Sequence, residues 1–163
     1  MIQSVVHSIR ESLLGFDLSS KVWVYFGDRK LTEVESNEVN KSILEFCAQW
    51  TSHGSDVKAS GFVILDQIIV LVADIAKSSV SGCSTDSSVR FIQELGSRYK
   101  LDFMSRDLYY LVQNEIKSCD LSNIASHINS KTIVFNPFFS DLSDFYVNFA
   151  GEAFQSKYKR FLN

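Results

Sequence analysis

The run Gly61-Phe62-Val63-Ile64-Leu65-Asp66-Gln67-Ile68-Ile69-Val70-Leu71-Val72-Ala73-Asp74 (residues 61–74) decides how this chain folds. It contains two apolar segments rich in β-branched residues, 61–65 and 68–74, which are separated by the polar pair Asp66-Gln67. Apolar runs of this length around a short polar break are typical of strands joined by a tight turn. We therefore predict an antiparallel hairpin here.

The elements around this hairpin predict an α+β fold. Residues 22–26, Val-Trp-Val-Tyr-Phe, are β-branched or aromatic throughout, which is typical of a buried strand. Thr32 and Glu35 form a capping box before an apolar stripe at helical spacing, which predicts the start of a long helix. We predict, in chain order, a helix over residues 2–14, a strand over 22–26, a helix over 33–52, the hairpin, a helix over 86–99 and a strand over 108–113. From residue 22 onward the order β-α-β-β-α-β is that of a ferredoxin-like sandwich.

The last third of the chain predicts a smaller C-terminal extension. Residues 1–107 form the α+β core with its N-terminal helix in this prediction, and residues 108–163 pack on that core as part of one domain. The predicted elements are a hairpin around Asn114, a short helix over 123–129 capped by Ser122, a strand over 131–136 and, after Pro137, a terminal helix over 141–161.

Composition and charge argue against nucleic-acid binding. The formal net charge is −3, and the basic residues concentrate only at Lys157, Lys159 and Arg160. Binding to phosphates needs clustered cations that displace counterions, so we expect no nucleic-acid partner. We interpret the three cations as the solvated end of the terminal helix. The chain has 13 Phe, 6 Tyr and 2 Trp, enough to fill a core and leave some aromatic side chains for a surface groove.

Cysteine spacing and hydropathy indicate a cytoplasmic protein without a metal or cofactor. Cys47, Cys83 and Cys119 form no CxxC pair and have no histidine at a zinc-binding spacing. We therefore expect free thiols in a reducing compartment. The longest apolar stretch, residues 68–73, is far too short for a membrane span, and the first residues lack the pattern of a signal peptide.

One turn, before the second long helix, combines a thiol with hydroxyl and carboxyl side chains, and it is the segment most suggestive of a functional site. Its sequence is Ser81-Gly82-Cys83-Ser84-Thr85-Asp86-Ser87-Ser88. Free amides and the dipole at a helix start lower the pKa of a neighbouring thiol. Three interpretations stay open for this turn: a structural cap, a ligand or anion site, and a reactive thiol. The candidate site comprises Cys83, Ser84, Thr85, Asp86 and Ser88 of the turn together with Asp74, Arg29, Arg106 and His53.

Each residue of this candidate site outside the turn also has a structural interpretation. His53 follows the first long helix, where it either caps that helix or acts as a base for Cys83. Asp74 either fixes the path of the loop through backbone donors or acts as a base or ligand. Arg29 and Arg106 either bind a carboxylate or phosphate of a ligand or pair with the aspartate beside each of them.

Several motifs together resemble a known group of proteins. Trp23 and Tyr25, Arg29-Lys30-Leu31 with Glu33, Trp50 followed by His53-Gly54, Asp74 and the turn at residues 81–88 resemble a group of short bacterial proteins of unknown function, some labelled "ABC transporter ATPase". The resemblance covers roughly residues 20–136. An ABC ATPase needs a GxxxxGK[ST] loop whose amides and lysine bind phosphates. The sequence contains no such loop, so we expect no ATPase activity.

The lack of a complete catalytic set favours a non-enzymatic binding or accessory protein that acts through protein–protein contacts. In their order of elements, residues 108–138 also resemble the GYF-like modules that bind proline-rich peptides. That resemblance implies a groove formed by Tyr109, Tyr110 and Phe135. The alternative function is a small enzyme or ligand-binding protein centred on Cys83.

Overall fold

A computed structural model describes the protein over residues 1–52, 55–74 and 82–162, with side chains included except at residues 51, 52, 55 and 82–84. The helices in these ranges are α1 (Ile2–Ser12), α2 (Glu33–Gln49), α3 (Gly82–Tyr99), α4 (Ile124–His127) and α5 (Leu142–Asn148). The strands are β1 (Lys21–Phe26), β2 (Thr51–Ser52), β3 (Ser55–Asp56), β4 (Lys58–Ile64), β5 (Ile68–Asp74), β6 (Leu108–Val112), β7 (Glu115–Cys119), β8 (Ile133–Phe135) and β9 (Ala150–Glu152). Short 3₁₀ turns cover Leu121–Asn123, Ala153–Gln155 and Lys157–Phe161.

The predicted hairpin is confirmed, and it supplies two strands of a central antiparallel sheet with the order β1-β5-β4. Every residue of β5 is buried, because alternate side chains enter core clusters on opposite faces of the sheet. The turn is centred on Leu65 and Asp66, whose φ values are 53° and 52°. Two consecutive left-handed residues give the turn geometry that matches the twist of paired strands.

Helices α2 and α3 cover one face of the central sheet. The buried cluster on this face includes Val39 and Ile43 from α2, Ile92 and Leu95 from α3, and Ile69 and Leu71 from β5. The predicted capping box is present, with Glu35 N–H donating to the Thr32 hydroxyl and Thr32 N–H donating to the Glu35 carboxylate. Gly61 of β4 allows α2 to lie close, because a Cβ at this position would be 2.6 Å from Ile43 Cγ2.

The opposite face of the central sheet packs against α1, α5 and a second sheet with the order β7-β6-β8-β9. Val24 and Phe26 of β1 share one buried cluster with Tyr109 of β6, Phe135 of β8 and Phe145 of α5. Phe26 and Tyr109 are stacked, with ring centroids 4.7 Å apart. One apolar core therefore joins the first two thirds of the chain to the C-terminal elements.

The α+β class is confirmed, but the strand predicted to complete the ferredoxin-like sheet lies elsewhere. The order β1-β5-β4 matches three strands of that sandwich, whereas β6 pairs with β7 and β8 in the second sheet. Gln113 and Asn114, with φ values of 51° and 66°, form the tight turn that folds β7 back onto β6. Because β6 meets β1 through the stacked ring of Tyr109 rather than through main-chain pairing, one edge of β1 has no neighbouring strand among the described residues.

The predicted terminal helix over residues 141–161 is wrong. Helix α5 ends at Asn148, and Ala150–Glu152 instead forms β9, which pairs with β8 in the second sheet. Gly151 disfavours a continuous helix, and pairing of β9 satisfies the main-chain groups along an edge of β8. The basic residues near the C-terminus consequently lie on the 3₁₀ turn Lys157–Phe161.

Two smaller predictions are also corrected at element ends. Helix α2 stops at Gln49, not at residue 52, and the chain enters the short β2-β3 ribbon after Trp50. The short C-terminal helix begins with a 3₁₀ turn capped by Asp120, whose carboxylate accepts from the Ser122 N–H. Ser122 is therefore not the cap, and its hydroxyl donates to Asp120.

Candidate functional site

A cleft of about 720 Å³ lies along the edge of β1 that has no strand neighbour in the described structure. It is lined by Val24, Tyr25 and Phe26 of β1, Gln93 of α3, residues 103–107, Tyr109, Leu121, Pro137, Phe138, Lys157, Tyr158, Arg160 and Phe161. We call it the aromatic cleft, because aromatic side chains from several segments line it. Its volume falls in the range of ligand-binding clefts.

Phe138 is the most accessible aromatic side chain of the aromatic cleft, with 76% of its surface exposed. Pro137 cannot continue the hydrogen bonding of β8, and the Phe138 N–H donates to Asn136 Oδ1 at 3.3 Å. This local turn holds the ring outside the core. The Lys157 ammonium lies 5.1 Å from the centroid of the ring, within the range of a cation–π contact. Phe138 therefore offers an apolar surface at the entrance of the cleft.

Three cations line the aromatic cleft. Arg106 comes from the segment after α3, and Lys157 and Arg160 come from the last 3₁₀ turn, whereas Asp107 is the one carboxylate among the described lining residues. Within the described chain, none of the three cations forms an ion pair. Partial desolvation, together with the nearby Arg160 charge, lowers the pKa of Lys157. A carboxylate in the cleft would relieve this repulsion between like charges.

The groups that line the aromatic cleft are suited to binding. Aromatic rings offer apolar area, and guanidinium and ammonium groups offer charged donors. Among the described residues, the lining contains no histidine or cysteine. Burial raises the pKa of the Tyr109 and Tyr158 hydroxyls, so both stay protonated at neutral pH. The Tyr109 hydroxyl donates to the Phe26 carbonyl at 3.4 Å. No group of three or more His, Cys, Asp and Glu side chains in the described ranges could hold a metal ion.

Among the residues of the sequence-predicted site whose side chains are described, Arg106 is the one that lines the aromatic cleft. Arg29 instead makes a bidentate contact with Glu35, at 2.9 and 3.0 Å, and also donates to the Tyr99 carbonyl at the end of α3. The Arg29 contact and the Thr32 N–H lower the pKa of Glu35 from 4.5 to about 2. Arg29 thus joins the start of α2 to the end of α3.

Asp74 lies at the other end of the central sheet from Arg29, because β1 and β5 are antiparallel. Its side chain is 2% exposed, and its carboxylate lies 4.0 Å from the Lys58 ammonium on the neighbouring strand β4. Arg29 contacts the last turn of α3, whereas Cys83 lies in the first turn, about 24 Å away at 1.5 Å per residue. The fold therefore separates Arg29 from both Asp74 and Cys83.

The turn at residues 81–88 is helical earlier than predicted. Helix α3 begins at Gly82 rather than at residue 86, so Cys83 and Ser84 lie in its first turn, with side chains outside the described part. Ser88 is buried, and its hydroxyl donates to the Thr85 carbonyl at 2.7 Å. Because α3 begins at Gly82, Asp86 lies within the helix rather than at its cap, and its side chain is exposed. His53 lies outside the described residues, and a ligand or thiol site at Cys83 stays a prediction.

The groove implied by residues 108–138 is not formed by its three aromatic side chains together. Tyr109 reaches the aromatic cleft, but Phe135 is 1% exposed in the core between the sheets. Tyr110 is buried in a separate cluster, with its hydroxyl 3.3 Å from His127 Nδ1. Adjacent strand residues face opposite sides of a sheet, which is why Tyr109 and Tyr110 diverge.

Sequence reasoning missed most of the aromatic cleft. Lys157 and Arg160 look like a solvated helix end in the sequence, and only the replacement of that helix by β9 and a 3₁₀ turn brings them beside Arg106. The available signal was Phe138 directly after the only proline of the chain, where an aromatic side chain has no strand or helix to bury it. No helix in the described ranges has the length and apolar character required to cross a membrane. Comparison of the chain with protein-family models, curated proteins and solved structures finds no match.

Proposed function

We propose that this protein is a non-enzymatic binding protein whose aromatic cleft holds a segment of a partner protein. The observation that carries this proposal is the combination of an exposed aromatic ring, Phe138, with three cations along an open strand edge. Aromatic side chains and arginine dominate the energetics of protein interfaces, because they bury large area and make charged hydrogen bonds.

The shape of the aromatic cleft favours a segment over a large flat surface. Tyr109 and Tyr158 lie deep in it, at 3% and 6% exposure, whereas Phe138 lies at its entrance. A partner must therefore insert a narrow element to reach the deeper rings. Recognition of peptides in grooves commonly uses such a row of pockets with charged residues at the rim.

A selection from a random-sequence peptide library displayed on phage tests the proposal, with the native protein immobilised as bait. We expect enriched peptides that share a sequence pattern and lose affinity for a Phe138→Ala variant. Complete burial of a phenylalanine side chain contributes about 1.5–3 kcal/mol. Because 76% of Phe138 is exposed in the free protein, its truncation should remove about 1–2 kcal/mol of binding, or about 5- to 30-fold in Kd.

A Phe154→Ala variant is the matched control. Phe154 is also a partly exposed ring, at 52%, with the Lys159 ammonium 4.3 Å from its centroid, but it lies outside the aromatic cleft. Both substitutions should change the free energy of unfolding by no more than about 0.5 kcal/mol. The proposal is wrong if no sequence is enriched, or if the enriched peptides bind the Phe138→Ala variant as tightly as the native protein.

A further inference from the structure

We propose that the bound segment is acidic and that it adds to the open edge of β1 as an extra strand. This inference rests on the proposed function and names the chemistry of the partner. It follows from three features of the aromatic cleft: main-chain groups without a hydrogen-bond partner among the described residues, cations without an ion-pair partner among the same residues, and a shape that admits a single extended chain.

The direction of the main-chain groups of β1 follows from its pairing with β5. The Gly27 N–H donates to the Gln67 carbonyl at 2.8 Å, so residues an even number of positions from Gly27 point toward β5. The N–H and C=O groups of Val22, Val24 and Phe26 therefore point away from β5. The Ser20 carbonyl has the same outward direction, and it accepts from the Leu142 N–H at 2.8 Å.

Most of these outward groups have no partner in the described protein. The Phe26 carbonyl lies 3.4 Å from the Tyr109 hydroxyl, whereas the outward N–H and C=O of Val22 and Val24 form no hydrogen bond within the described residues. Val24, with 9% of its surface exposed, is one of the residues that line the aromatic cleft. An added strand satisfies groups in this position directly.

The length of this edge sets the size of the ligand. Val24 to Phe26 line the cleft, and Val22 continues the same edge outside the lining, so that from Val22 to Phe26 the edge spans about 13 Å at 3.3 Å per residue. An extended segment of about five residues covers that distance, with every second residue directed toward β1. The other residues of the segment present their main-chain groups to the opposite side.

The cations that line the aromatic cleft favour an acidic segment as the ligand. Arg106, Lys157 and Arg160 line the cleft, with Asp107 as the one acidic residue among the described lining, although the whole chain has a net charge of −3. A local positive field on an acidic protein attracts carboxylates and repels basic segments. Side chains of an added strand point to its two faces, from which glutamate or aspartate can reach the cations.

The walls of the aromatic cleft argue against a second copy of this chain as the occupant. In each copy, β1 shares the cleft with side chains of other segments, among them Phe138. Two such edges therefore cannot meet. Covering of an edge strand by neighbouring segments is a common way to prevent pairing between whole sheets, and here it leaves room for a single chain.

The test uses a fluorescein-labelled hexapeptide that alternates glutamate and valine, with its binding to the native protein followed by fluorescence anisotropy. We expect binding that weakens as salt rises from 50 to 500 mM, and a Kd at least tenfold higher for a peptide with lysine in place of glutamate. In ¹⁵N spectra, the Val22, Val24 and Phe26 amides should shift on binding. The amide of Val70, which lies in the interior strand β5, is the control.

Two N-methylated versions of the hexapeptide separate strand addition from other modes of binding. N-methylation at the residues of one alternate set removes the donors that face β1, and methylation of the other set leaves those donors intact. We expect one version to lose at least tenfold in affinity and the other to bind within about threefold of the parent. Equal effects of the two versions, or equal binding of the lysine peptide, would overturn the inference.

Protein variants then locate the charge effect. The double substitution Arg106→Ala with Lys157→Ala should raise the Kd at least tenfold, whereas Lys159→Ala, an exposed cation outside the cleft, should leave it unchanged. If the acidic hexapeptide does not bind but library selection yields Phe138-dependent peptides of another chemistry, the inference fails and the proposed function stands. If selection also yields no Phe138-dependent peptide, both fail.

Discussion

Replacement of Gly61 by alanine tests how α2 is seated on the central sheet. The new Cβ would lie 2.6 Å from Ile43 Cγ2, 2.8 Å from Leu71 Cδ2 and 2.9 Å from the Val70 carbonyl oxygen. Carbon atoms in contact prefer about 3.5–4.0 Å, so the neighbours must retreat by about 1 Å. Ile43 and Leu71 are both 0% exposed, and the carbonyl belongs to the main chain of the buried strand β5, so none of them can move into solvent.

The expected change in the free energy of unfolding is the sum of two opposing effects. Overpacking of a filled core costs about 1–3 kcal/mol, with the upper part of this range expected when a main-chain atom is involved. Alanine also restricts the unfolded chain more than glycine, which returns about 0.5–1 kcal/mol. We therefore expect Gly61→Ala to lower the free energy of unfolding by about 1–2 kcal/mol. For a chain of 163 residues this corresponds to a Tm lower by about 2–8 °C.

Calorimetry and urea titration of the Gly61→Ala and Gly151→Ala variants provide the measurement. A Cβ at Gly151 meets no heavy atom within 4 Å, so this control should match the native protein within about 0.5 kcal/mol. The reasoning is refuted if the Gly61→Ala variant has the Tm of the Gly151→Ala variant or a higher one. That result would mean that α2 does not pack against β4 at this position.

Three further predictions concern single residues. Arg29 lowers the pKa of Glu35 to about 2, so the contribution of the Arg29–Glu35 contact to stability is complete above pH 4.5 and disappears as pH falls through 2. The Tm difference between the native protein and the Arg29→Gln variant should therefore be largest above pH 5 and shrink toward pH 2. A Tm difference that stays constant with pH would contradict this prediction. Burial raises the pKa of the Cys47 thiol to about 12, so iodoacetamide should alkylate Cys47 in urea but not in the native protein, as measured by mass spectrometry. Rapid alkylation of the native protein would contradict this prediction and show that the core beneath α2 opens readily. Lys100, directly after the last residue of α3, has a φ of 55°, in the left-handed region that favours glycine. Lys100→Gly should therefore raise the free energy of unfolding, measured by urea titration, by about 0.5 kcal/mol. A lower free energy of unfolding would contradict a left-handed cap at this position.

The sequence predicts elements well where short-range patterns dominate. The hairpin of β4 and β5 and the capping box at Thr32 and Glu35 are local features, formed by residues a few positions apart. The terminal helix was mispredicted because residues 150–152 gain hydrogen bonds from β8, a partner that lies outside the segment. Local propensity is a weak guide wherever such a distant partner exists.

The residues of the candidate sites likewise differ in how far the sequence alone could identify them. Arg106 could be selected as a candidate from its residue type and position, but its association with Phe138 and Lys157 depends on how the C-terminal segment returns to the core. Arg29, another sequence candidate, bonds to Glu35 and to the end of α3, a contact across 70 residues of chain. Residue type therefore indicated the available chemistry, and folding determined the partners.

By itself, the sequence determined the α+β class, the central hairpin and the start of α2, because apolar periodicity, turn residues and helix caps act over a few positions. Tertiary packing places β6 in a second sheet and leaves one edge of β1 without a neighbouring strand among the described residues. It also decided that residues near 106, 138 and 157 surround that edge as the aromatic cleft. These outcomes depend on which distant surfaces bury the most apolar area together, and no local pattern in the chain specifies that choice.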